Sequence, residues 1–103
     1  MRKIEREIEI MATMKIKVRN QQIFPGEYIA VEFCPFEYYA RDAWIEDGLV
    51  YIKESPVEVC AVDFEDILEI TMGRKVLYTK PSGITIGLPL REKIVDVISL
   101  LDE

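Results

Sequence analysis

The most regular part of the sequence is residues 7–19, in which apolar and polar side chains alternate. The apolar members fall two residues apart, at Ile8, Ile10, Ala12, Met14, Ile16 and Val18. This is the period of a β-strand with one buried and one solvated face. A typical strand has about five or six residues. A longer strand offers more backbone hydrogen-bonding groups than short neighbours can pair, so we expect part of its edge to bind another chain.

A second strand is predicted at residues 28–33, where apolar residues again recur every two positions. Residues 20–27, which include a Pro-Gly pair, are predicted to form the turn or loop before it. The strand is expected to end before Pro35, because proline has no N–H to donate to a sheet ladder.

A tight hairpin is predicted around Asp47-Gly48, which joins strands at residues 43–46 and 49–53. This dipeptide tolerates the positive φ values that a type I′ turn requires. The remaining predicted strands are residues 57–62, 67–72, 76–80 and 84–88, with a short helical or irregular turn at 63–66.

The end of the chain has the period of a helix rather than of a strand. Pro89 suits a first helical turn, and the helix is predicted over residues 90–101. Its apolar side chains fall on one arc, at Leu90, Ile94, Val97, Ile98 and Leu101. A helix with a single apolar arc must cover another element, and the predicted sheet supplies it.

These elements predict an α+β domain that is mostly β. Seven or eight antiparallel strands are expected to form a sandwich or a partly open barrel, capped by the C-terminal helix. We find no internal repeat, low-complexity segment or linker in the sequence, so residues 1–103 are expected to fold as a single domain.

Composition narrows the classes of function. Half of the 103 residues are hydrophobic, and the formal net charge is −6. An acidic chain is a poor candidate for binding nucleic acid or an anionic membrane surface, since both require clustered Lys and Arg. No apolar run approaches the roughly 20 residues that span a bilayer, and the start of the chain lacks the apolar core of a signal peptide. We therefore expect a cytoplasmic protein.

The sequence carries little that favours catalysis. It has no His, the usual general base at neutral pH, and neither a Gly-rich phosphate loop nor a nucleophile elbow. The acidic residues at 63–66 lack the spacing of a Ca²⁺ loop and are interpreted as turn and cap residues. We expect no enzymatic activity, no cofactor and no metal.

Cys34 and Cys60 are the only cysteines, too few for a zinc site in a chain without His. We interpret them as buried free thiols rather than a disulfide. Asn and Gln together total only three residues, while Ile and Glu are abundant. This bias is typical of hyperthermophile proteins, in which an intracellular Cys34–Cys60 bridge would be less surprising.

From about Tyr39 onward, the order of elements resembles a pleckstrin-homology-type domain, in particular the small bacterial and GRAM-like versions. The resemblance is carried by the hairpin at residues 43–52, the Val-Asp-Phe-Glu-Asp-Ile-Leu-Glu-Ile passage at 62–70, and the terminal helix at 90–101. It implies a barrel plugged at one end by the helix, and a binding or assembly scaffold without catalytic activity. The sequence departs from the family pattern in two places. The terminal helix has no Trp, and the basic cluster of phosphoinositide-binding members is reduced to three cations.

Two candidate binding surfaces follow. Five of the ten aromatic residues fall within residues 33–44, where large side chains cannot all turn inward. We expect four residues to form a protein interface: Phe36, Tyr38, Tyr39 and Trp44. The alternative is that Phe33, Phe36 and Trp44 fill the core. The partner is expected to be a protein, either another copy in a homo-oligomer or a different chain.

The alternative function is binding of a lipid headgroup or a small anion. The residues that would carry it are Lys15, Lys17 and Arg19, together with Arg74 and Lys75. The first three share one strand face, but Glu7 and Glu9 continue that face. Alternating charge on a solvated face is therefore the simpler interpretation of these cations.

Overall fold

The computed structural model of the chain describes residues 13–26, 29–83 and 87–102. Within these residues it has seven strands and one α-helix. The strands are β1 (Met14–Phe24), β2 (Ile29–Ala40), β3 (Asp42–Glu46), β4 (Leu49–Ser55), β5 (Glu58–Val62), β6 (Ile67–Met72) and β7 (Lys75–Thr79). The helix is α1 (Leu88–Ile98), and short 3₁₀ turns lie at Phe64–Asp66 and Ser99–Asp102.

The strands form two antiparallel sheets that share one core. The four-stranded sheet has the order β2-β1-β6-β7, and the three-stranded sheet is the meander β3-β4-β5. The structure confirms a mostly β fold with a C-terminal helix. The two sheets are not closed into a barrel, which agrees with the predicted sandwich or partly open barrel.

Alternation along β1 sets the position of the core. Met14, Ile16 and Val18 are buried, as their two-residue spacing predicted. The helix contributes Ile94, Val97 and Ile98, also as predicted, and Leu90 and Leu101 pack against the cluster from its margin. Burying each such side chain contributes about 1.5–3 kcal/mol to stability, and this holds α1 on the sheets.

The β3–β4 hairpin turns at Asp47-Gly48, as predicted. Asp47 has a φ of 51° and Gly48 a φ of 77°. Both values are positive, as a type I′ turn requires. Gly48 reaches its value without steric cost because it has no Cβ.

The first hairpin is longer than predicted. β1 continues to Phe24, and β2 runs from Ile29 through Pro35 to Ala40, so the predicted loop at residues 20–27 is largely strand. Pro35 does not end β2 because Cys34 and Pro35 together oppose Arg19, the two-against-one arrangement of a β-bulge. Among the described strands β2 is also at an edge, where the missing N–H of a proline costs no ladder bond.

The predicted free edge of the first strand is only partly present. β1 lies between β2 and β6, and both neighbours pair with it over Met14–Val18. The parts of two predicted strands at residues 7–12 and 84–86 lie outside the described residues. Leu88, the last residue of the second of these, is the first residue of α1, with Pro89 in its first turn.

Candidate interaction surface

The β1–β2 hairpin extends beyond the rest of the fold. Among the described residues, β6 pairs with β1 only as far as Val18, so the remainder of β1 pairs with β2 alone. We call residues 19–24 and 29–35 the distal hairpin. At about 3.3 Å per residue, its strands reach roughly 20 Å. This extension contributes to a molecule that measures 57 × 27 × 25 Å.

Strand alternation gives the distal hairpin two unlike faces. One continues the row of core residues on β1 and is formed by Asn20, Gln22, Phe24, Ile29, Val31 and Phe33. Phe36, which pairs with Val18 just before the bulge, adjoins them. We call these seven residues the apolar face, and none of them is charged. The opposite face carries Arg19, Gln21, Ile23 and Glu32, and an ion pair of 3.5 Å joins Arg19 Nε to Glu32 Oε1.

The apolar face is exposed. Phe24 and Phe33 are each 43% exposed, Phe36 is 48% exposed and Ile29 is 52% exposed. With about 200 Å² for each aromatic side chain and slightly less for Ile29, these four residues present roughly 350 Å² of apolar surface. A patch of this size matches the largest apolar patch of a typical monomer, which is often functional.

Tyr38 marks the base of the apolar face, where it meets the three-stranded sheet. Its ring lies 6.1 Å from that of Phe36, centroid to centroid. Tyr38 and Cys60 line the same part of the surface, and their ionisations influence each other. Burial raises the pKa of Tyr38, and the neighbouring Cys60 and Glu54 raise it further. A cavity of about 300 Å³ opens here between β2 and the β4–β5 hairpin.

The thiol in this cavity is not an activated nucleophile. Burial raises the pKa of Cys60 above its usual 9.0 and the Glu54 charge raises it further, although the Tyr38 hydroxyl acts in the opposite direction. The thiol is therefore protonated at neutral pH, and only a thiolate attacks. Both cysteines are free, as predicted, but Cys34 is exposed on the distal hairpin rather than buried.

The four predicted interface residues do not lie on one surface. Phe36 and Tyr38 share a face and are in contact. Tyr39 is 53% exposed on the opposite face of β2, where it pairs with Lys15. Trp44 lies in the other sheet and stacks on Tyr51, with ring centroids 5.6 Å apart and planes at 6°. The alternative prediction, that these aromatics fill the core, is wrong for Phe33 and Phe36.

The structure adds Phe24 and Ile29 to the surface. Neither was among the predicted interface residues, although Ile29 was predicted to share one side of the second strand with Val31 and Phe33. The signal was present, since the alternation of residues 7–19 continues in phase through Asn20 and Gln22 to Phe24. The Pro-Gly pair that follows marked residues 20–27 as a loop, so Phe24 was not assigned to a strand face.

The cations of the alternative anion site are divided among carboxylates. Lys17 lies between Glu37 of β2 and Glu69 of β6 in register, and Arg19 pairs with Glu32. Arg74 and Lys75 lie at the β6–β7 turn, which follows Met72, the partner of Met14. They are therefore at the Lys15 end of β1, away from Arg19. The five cations do not converge on a single site.

A second cavity, of about 480 Å³, lies beside Arg19 and Lys80. The Lys80 ammonium donates a hydrogen bond of 2.6 Å to the Glu65 carbonyl oxygen and lies 3.6 Å from the Glu65 carboxylate. The charge of Lys80 is thus paired with Glu65 within the fold, and that of Arg19 is paired with Glu32. The described residues contain no cluster of three or more side chains suited to hold a metal ion. In the same part of the chain, no helix has the length and apolar character needed to cross a bilayer.

Comparison of the chain with protein-family models, curated proteins and solved structures found no match.

Proposed function

We propose that this chain is a non-catalytic protein-interaction module of the pleckstrin-homology type, and that it assembles through the apolar face. The observation that carries the proposal is the exposure of Phe24, Phe33 and Phe36 on a face without charge. Cores of protein interfaces are enriched in aromatic residues and depleted of charge, which is the composition found here.

The backbone beneath this face also suits assembly. Two paired strands hold the aromatic rings at fixed spacing, so little conformational entropy is lost when a partner covers them. The two free thiols are compatible with the reducing cytoplasm, which we propose as the compartment.

Phe33→Ser tests the proposal. Removing the ring takes away a large part of the exposed apolar surface and leaves the backbone pairing with Asn20 in place. We expect self-association, or capture of a defined partner, to weaken at least tenfold. A central aromatic side chain commonly contributes about 2 kcal/mol or more to the binding free energy, and about 1.4 kcal/mol is a factor of ten in affinity. The measurement is mass by light scattering over a range of protein concentrations.

The matched control is Ile23→Ser, since Ile23 is 69% exposed on the opposite face of the same hairpin. This variant should associate as the unmodified chain does. If Phe33→Ser and the control behave alike, the apolar face is not the contact surface.

The anion-binding alternative has less support, because Lys17 and Arg19 already face carboxylates. The same experiment at two salt concentrations distinguishes the two functions. Anion binding weakens steeply with salt, whereas contact through an uncharged apolar face does not.

A further inference from the structure

The geometry points to a second copy of this chain as the partner: we propose that two distal hairpins pack face to face about a two-fold axis close to Gln22. This inference rests on the proposed function, since it names the partner of the same apolar face. Three properties of the face support it.

The first property is the position and chemistry of Gln22. It lies on β1 between Asn20 and Phe24 and opposite Val31, in the middle of the apolar face. A two-fold axis at this point brings Gln22 against Gln22. A primary amide both donates and accepts hydrogen bonds, so it complements its own copy, as an isologous contact requires.

The amides of this chain are also unusually placed. Asn20, Gln21 and Gln22 are its only Asn and Gln residues, and they are consecutive. Asn20 donates through Nδ2 to the Cys34 carbonyl oxygen at 3.2 Å, so it supports the bulge. Gln21 and Gln22 point to opposite faces of β1, which leaves Gln22 as the one neutral polar side chain at the centre of the face.

The second property is the absence of charge. The chain carries a net charge of −6, so two copies repel each other wherever like charges meet. A residue that lies on a two-fold axis approaches its own copy, so a charge there would face an identical one. The apolar face has none, whereas the opposite face of the hairpin presents Arg19 and Glu32.

The third property is area. About 60% of an interface is apolar, so roughly 350 Å² of apolar surface corresponds to about 600 Å² on each copy. Two copies would bury about 1,200 Å², the lower limit for a specific and stable interface. The face is therefore large enough for a reversible dimer and small enough to remain soluble as a monomer on dilution.

A charge-swap experiment tests the two-fold arrangement. Gln22→Glu and Gln22→Lys each place like charges opposite one another, so each variant alone should dimerise at least 100-fold more weakly. Like charges at an interface cost several kcal/mol, and about 1.4 kcal/mol is a factor of ten in the dissociation constant. An equimolar mixture of the two should form a heterodimer within about tenfold of the original affinity. Sedimentation equilibrium gives the dissociation constants.

Gln21→Glu and Gln21→Lys are the matched controls, because Gln21 is the adjacent residue on the opposite face. Neither should change dimerisation more than about threefold, as expected for a surface charge outside the contact. Thermal melts of all four variants check that each is folded. Since Gln22 is exposed, its variants should melt as the unmodified chain does at concentrations where all are monomeric.

The outcomes separate this inference from the proposed function. An unmodified chain that is monomeric at millimolar concentration, or charge variants that dimerise normally, would overturn the two-fold arrangement. If that monomer binds a different protein and Phe33→Ser abolishes the binding, the proposed function stands and only the second copy is wrong. If Phe33→Ser changes no association, both are wrong.

Discussion

Replacing Tyr78 by Phe should stabilise this protein. Tyr78 lies on β7 with 4% of its surface exposed, and within the described part of the chain its hydroxyl oxygen has no hydrogen-bond partner. Burying a hydroxyl without a partner costs about 1–3 kcal/mol by mutational measurements. Tyr78→Phe removes this cost and keeps the ring that packs in the core.

We expect the free energy of unfolding at pH 7 to rise by about 1 kcal/mol, near the lower end of that cost. For a domain of this length, 1 kcal/mol corresponds to an increase in Tm of about 4–8 °C. Urea denaturation should show a higher midpoint with an unchanged slope, since the surface exposed on unfolding is the same.

The difference should grow in alkali. Burial raises the pKa of Tyr78 above its usual 10.0, and the negative charge of Glu65 raises it further. Above pH 10 the unfolded state therefore loses the Tyr78 proton while the folded state keeps it, so the unmodified protein loses stability as the pH rises towards the folded pKa. Tyr78→Phe lacks this contribution, and its advantage should be larger at pH 11 than at pH 7.

Tyr39→Phe is the matched control, because Tyr39 is 53% exposed and its hydroxyl is not buried. It should change the free energy of unfolding by less than about 0.5 kcal/mol. A Tyr78→Phe variant that is less stable than the unmodified protein at pH 7 would refute the reasoning, since it would mean that the hydroxyl makes a favourable hydrogen bond.

Two further predictions follow from the core and from the cysteines. Ile94→Ala should destabilise the fold by about 2–5 kcal/mol in a urea titration, because Ile94 is fully buried on the inner side of α1. Val95→Ala, on the exposed side of the helix, should cost far less. Equal losses would mean that α1 does not cover the sheets as described. With a thiol reagent at pH 8, exposed Cys34 should react first and Cys60 more slowly, because burial raises the pKa of Cys60, and the fast phase should vanish in Cys34→Ser. A chain that shows no reactive thiol until it is reduced would contradict the assignment of free cysteines.

Local patterns predicted the parts of the fold whose cause is local. The spacing of Met14, Ile16 and Val18 gave the buried face of β1, the Asp47-Gly48 pair gave the hairpin turn, and the apolar arc gave the contact face of α1. Each of these features depends on backbone geometry or periodicity within a few residues, so each can be predicted without knowledge of the rest of the chain.

The length of the first hairpin was not predictable in this way. Pro35 is a strand breaker in most contexts, and it is tolerated here only because β2 is an edge strand with a bulge opposite Arg19. Whether a strand lies at an edge is decided by the other strands, which a local pattern does not contain.

The candidate surface was predicted only in part, because its extent also depends on the other strands. The aromatic concentration at residues 33–44 indicated an interface, and in the structure Phe36 lies on the apolar face with Tyr38 at its base. Alternation separates Tyr39 from them, and Trp44 lies in the other sheet. Phe24 and Ile29 are exposed because the three-stranded sheet covers only part of the long hairpin, and periodicity alone does not show where the cover of a strand face ends.

The projecting hairpin also affects how this protein moves through solution. Its radius of gyration is 15.1 Å, compared with about 13 Å for a compact domain of 100 residues. A particle 57 Å long diffuses more slowly than a sphere of the same 12.0 kDa mass. A single chain will therefore leave a sizing column somewhat early, and elution volume alone will overstate its mass.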